Sequence, residues 1–68
     1  MSEIIFRNIK KLASEKNLTL RKIETLCDPP LGNGTIAGWE NGNPTISNVE
    51  KVARVLKCQV SDLLKDKK

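Results

Sequence analysis

Sixty-eight residues, 38% of them apolar and 29% charged, suit one small globular domain and exclude both a disordered chain and a multidomain one. Twelve Lys and Arg against eight Asp and Glu give a net charge of +4, a mild lean toward polyanions such as nucleic acid or an anionic membrane. The absence of histidine, with Cys27 and Cys58 too far apart for a metal knuckle, leaves no expected metal, cofactor or catalytic set, and both thiols are expected to be reduced and buried.

The chain opens on Met1-Ser2-Glu3, which lacks the basic start of a secretory signal, and no stretch reaches membrane-spanning length. A cytoplasmic location, without membrane association, is therefore expected. Ile5, Ile9, Leu12 and Ala13 recur at helical spacing, predicting a first helix to about Lys16 with Asn17 at its end. Thr19 suits the cap of a second helix that carries Ile23 and Leu26 inward. Asp28-Pro29-Pro30 stops that helix, because proline lacks an amide donor and pushes the residue before it out of the α region.

Gly32-Asn33-Gly34 reads as a turn, with Asn33 or Gly32 capping a third helix through Glu40 in which Ile36 and Trp39 share the buried face. Asn41-Gly42 carries a left-handed termination signal. Pro44-Thr45 opens a fourth helix whose stripe is Val49, Val52, Ala53 and Leu56, and Val60, Leu63 and Leu64 mark a short fifth. The expectation is an all-α, five-helix domain over residues 1–68, ending in a basic tail at 65–68. Phe6, Leu20 and Val55 fall off the main stripes, either as partly buried extras or as an apolar patch.

The ordered set from Ile9 to Leu64 carries a resemblance. Ile9-Lys10-Lys11-Leu12, Leu18-Thr19, Ile23, Thr35-Ile36-Ala37-Gly38-Trp39-Glu40-Asn41-Gly42, Pro44-Thr45, the block Val49–Leu56 and Val60-Ser61-Asp62-Leu63-Leu64 succeed one another. Together they resemble the Cro-like, xenobiotic-response-element family of phage-repressor DNA-binding domains. The resemblance implies a helix-turn-helix formed by helices two and three, with a recognition helix at about 33–41 in the major groove. This chain departs from that pattern at Leu20, which stands in place of a glutamine, and in the longer turn holding Pro29-Pro30. The loop after Gly42 is shorter, and Ala13 replaces the arginine that would pair with Glu40, so Glu40 needs another partner.

With Ile36 and Trp39 buried, Gly34, Ala37, Gly38 and Asn41 turn to the opposite face, which has no bulky side chain and lets backbone approach DNA closely. Base contacts are expected from Asn33, Gly34, Ala37, Gly38 and Asn41: Asn33 as donor and acceptor to adenine, Ala37 against a thymine methyl. Asn33 suits a pure cap equally well. Phosphate contacts are expected from Thr19, Arg21 and Lys22 at the start of helix two, where cations oppose the helix dipole, and from Thr45 and Ser47 at the start of helix four. Double-stranded DNA is the expected partner, bound by a symmetric homodimer acting as a transcriptional regulator, with no small-molecule substrate. The alternative is a module of the same fold that has lost DNA readout and binds a protein.

Overall fold

A computed structural model describes residues 2–65 of the chain. Four α-helices succeed one another: α1 (Ser2–Glu15), α2 (Leu20–Leu26), α3 (Ile46–Leu56) and α4 (Val60–Leu64). A 3-10 helix, Ala37–Glu40, lies between α2 and α3, and there is no strand among the described residues. Of the basic tail, only Lys65 is among the described residues; 66–68 lie outside them. No helix is long and apolar enough to cross a membrane among the described residues.

Each α-helix has a local cause. In α1 the buried Ile5, Ile9 and Ala13 stand four residues apart on one face. Asn17 ends the helix in the left-handed region (φ 57°), and the Leu18 amide closes back on the Ala13 carbonyl at 2.8 Å. Thr19 caps α2 by accepting from the Lys22 amide at 3.0 Å, and Thr45 caps α3 by accepting from the Asn48 amide at 3.2 Å. All four residues of the α3 stripe, Val49, Val52, Ala53 and Leu56, are buried. Lys57 then takes φ 57°, the counterpart of Asn17. Asp62 caps α4 from within, its carboxylate accepting from the Gln59 amide at 3.0 Å.

α1 packs against both α4 and the 3-10 helix, while α2 packs against α3 and α3 against α4. Ile9, Ile23, Ile36, Val49, Val52, Leu56 and Leu63 meet in the centre with no exposed surface. Asn8 is buried beside them, and its side-chain amide donates to the carbonyls of Leu63 at 2.8 Å and Lys65 at 2.7 Å. Those carbonyls are orphans of the end of α4, so one side chain both satisfies them and ties α1 to the C-terminal helix.

The all-helical class agrees with the sequence pattern, but the count of helices does not. The expected third helix is a turn at 33–36 followed by the single 3-10 turn. Gly34 sits at φ 85°, where no right-handed helix runs, and Gly38 lowers the helical preference of the residues after it. Leu26, expected inside, is 50% exposed. The loop that folds back over α2 covers Glu24 instead. Leu64 is also exposed, since a five-residue α4 has room to bury only Leu63 fully. Phe6, Leu20 and Val55 are half-buried against the core rather than forming a patch of their own.

Candidate nucleic-acid interface

The segment from Leu31 to Gly42 is held to the frame by two side chains, Ile36 and Trp39, which are buried while their neighbours are not. Its internal hydrogen bonds are a mixture of three- and four-residue steps. Thr35 donates to the Gly32 carbonyl at 3.1 Å, Gly38 to Gly34 at 3.0 Å, Trp39 to Ile36 at 2.9 Å, and Gly42 to Gly38 at 3.0 Å. Asn33, Gly34, Ala37, Gly38 and Asn41 are all exposed. A β-carbon placed on Gly34 or Gly38 would meet nothing within 4 Å, so this face is open to the approach of another molecule. Asn41, expected in a left-handed cap with Gly42, has φ −119° and ψ −5°. Its amide bonds the Gly38 carbonyl at 3.3 Å, a closing bond that needs no left-handed residue.

The start of the segment is capped from outside. Neither Asn33 nor Gly32 provides the cap; Glu24 on α2 does. One carboxylate oxygen accepts from the Ile36 amide at 2.9 Å and the other from the Gly34 amide at 3.3 Å, while the Glu24 carbonyl accepts from the Leu31 amide at 3.0 Å. A carboxylate with two oxygens serves two amides that a left-handed Gly34 turns the same way. The exposed Asn33 side chain has no hydrogen-bond partner among the described residues, which leaves its amide free for an outside one. Sequence reasoning missed Glu24 because a glutamate in a short amphipathic helix looks like a surface charge. The signal that points to it is the lengthened turn, which needs an anchor.

The expected phosphate residues Thr19, Arg21, Lys22, Thr45 and Ser47 are all exposed, in two groups at the starts of α2 and α3. The Thr19 and Thr45 hydroxyl oxygens are occupied as caps, but a hydroxyl that accepts keeps its own hydrogen to donate. Lys22 has no ion pair among the described residues. Arg21 does: its Nη1 stands 3.7 Å from a Glu24 carboxylate oxygen. Glu40 has no ion pair among the described residues either; it shares a surface hollow with Phe6, Arg7 and Lys10, and the Lys10 ammonium lies 5.3 Å from the Phe6 ring centre.

Cys27 is buried as expected, whereas Cys58 is half-buried, coming after the left-handed Lys57 at the edge where α1 and α4 meet. Burial pushes the pKa of both thiols above the usual range; Lys51 partly offsets this at Cys27 and Lys16 at Cys58. Among the described residues no three His, Cys, Asp or Glu side chains gather as a metal site.

A family model described as helix-turn-helix matches residues 9–63, most of the chain. No curated protein and no solved structure matches it.

Proposed function

The chain belongs to the Cro-like helix-turn-helix family, a family of DNA-binding transcription regulators, and from that premise we propose that it binds operator DNA as a repressor-like regulator in the cytoplasm. The segment 33–41 enters the major groove, the starts of α2 and α3 hold phosphates on either side, and a symmetric homodimer matches a palindromic site. The observation that carries this reading is the exposed face of Gly34, Ala37 and Gly38 directly over the buried Ile36 and Trp39, within the matched residues. Small residues let the backbone come close, and Asn33 and Asn41 at its two ends offer the hydrogen-bonding groups that base edges recognise. Base edges and phosphates are bound by hydrogen bonds and charge, so the site needs no metal or cofactor.

The test begins with selection of duplexes from a random pool, then titration of the enriched duplex at several salt concentrations. Lys22 is the cleaner phosphate probe, because reversing Arg21 would also set a second carboxylate against the buried Glu24. Lys22→Glu is expected to weaken all duplexes alike and to flatten the slope of log affinity against log salt by about one unit. Asn33→Ala is expected to leave the slope alone and to cost about 1–3 kcal/mol at one base pair only. Wild-type protein that shows no salt-dependent duplex binding would sink the proposal.

A second reading, a protein-binding module of the same fold, draws on Ile46, which is 62% exposed in the first turn of α3. It predicts no enrichment from the pool.

A further inference from the structure

Glu24 is the only charged side chain that is buried among the described residues, with 1% of its surface exposed. Nothing in α2 itself requires a carboxylate there. A buried carboxylate is costly unless its oxygens are hydrogen-bonded or paired, and here every partner lies in one of two places. The Ile36 and Gly34 amides supply two donors, at 2.9 and 3.3 Å, and the Arg21 guanidinium lies 3.7 Å from the same oxygen that takes the Gly34 amide. The segment in turn has no cap of its own: Ile36, which precedes the 3-10 helix, makes no side-chain cap bond. The carboxylate and the segment therefore need each other. If the segment rotates, Glu24 loses both amides; if Glu24 is removed, two inward-facing amides are left without an acceptor.

Arg21 faces outward from the same carboxylate. A guanidinium has five N–H donors, and the one turned toward Glu24 leaves others available to a phosphate. The negative charge beneath the DNA-facing segment is thereby balanced, and the grip of α2 on the DNA backbone is joined by a short polar path to the orientation of the segment. We propose that Glu24 is a positioning residue: it fixes the angle at which residues 33–41 meet the bases and so determines base specificity, with Arg21 linking it to a backbone phosphate. This rests on the DNA-binding reading above.

The experiment compares wild type with Glu24→Gln and Glu24→Ala on two probes, the duplex enriched by wild type and a random-sequence duplex. Amide hydrogen exchange at Gly34, Ile36 and, as a reference in the frame, Val52 is measured in parallel. Glu24→Gln keeps the volume but presents one acceptor oxygen and an NH2 group where two oxygens stood. The expected result is a drop of about tenfold in the ratio of specific to random affinity, because the specific duplex loses more than the random one. Exchange at Gly34 and Ile36 should accelerate by about tenfold while Val52 stays protected. Combining Glu24→Gln with Arg21→Ala should cost less specificity than the two losses multiplied, as expected for members of one network.

A Glu24→Gln protein that folds and keeps the wild-type ratio would overturn the proposal while leaving DNA binding intact. Equal losses on both duplexes would also overturn it, since a merely structural residue affects all binding alike. Wild type without duplex affinity would instead overturn the DNA reading, and this inference with it. If Glu24→Ala does not fold, the Glu24→Gln protein decides.

Discussion

Helix α3 and the segment Leu31–Gly42 are similar in length, and both begin near a turn and end near a helix cap, but different forces hold them. α3 carries its own cap in Thr45, buries four apolar residues at helical spacing, and closes on Lys57 with local bonds. The segment buries two residues, winds helically only over Ala37–Glu40, and takes its cap from Glu24, ten and twelve positions back in the chain. An element whose outer face stays open has fewer residues left to bury. Its geometry is then set by a few strong contacts to the frame, and the cost of losing one of them is concentrated there.

Trp39 gives the largest test of that contrast. It is only 6% exposed and sits where the segment packs on α1. Trp39→Ala is expected to cost about 3–5 kcal/mol, a large part of the total of about 5–15 kcal/mol typical of a domain. Thermal melting by circular dichroism should show loss of α1 and α3 together with the segment. A mutant that melts as wild type does would mean that the segment is independent of the frame.

A smaller effect, opposite in sign at two neighbouring glycines, sharpens the comparison. Gly34→Ala is expected to lose about 1–2 kcal/mol, because φ 85° is unfavourable for any residue with a β-carbon even where the space is open. Gly38→Ala, in equally open space and without that backbone angle, should gain about 0.4–1 kcal/mol by restricting the unfolded chain. The two melting temperatures should move apart on either side of wild type. A gain at both positions would exclude the left-handed turn at Gly34.

The smallest effects belong to the two thiols, one after each of the helices α2 and α3. Cys58 is half-buried and Cys27 buried, so native alkylation should label Cys58 first, with Cys27 reacting only as the protein opens. Because folding raises the pKa of both, their contribution to stability is complete below the ordinary thiol value of about 8.5 and declines as pH rises from there through the folded values. Equal labelling rates would show that the α2 end of the molecule opens as freely as the α4 end.

The stripes of α1 and α3, the cap Thr19, the start of α3 at Pro44-Thr45, the stop at Asp28-Pro29-Pro30 and the burial of Ile36 and Trp39 were legible in the sequence, because each depends on residues within one or two turns of one another. The exposure of Gly34, Ala37, Gly38 and Asn41 was read from the burial of Ile36 and Trp39, and the expected phosphate residues from the starts of the helices; all ten expected contact residues are exposed. Left to tertiary structure were the burial of Glu24 in place of Leu26, the 3-10 geometry of Ala37–Glu40, and the bond from Asn8 to the Leu63 carbonyl, 55 residues away. Those outcomes depend on which backbone amides and carbonyls remain unpaired once the helices have packed. A sequence pattern records where apolar side chains go; the destination of a polar one is decided by the nearest unsatisfied partner in the folded chain.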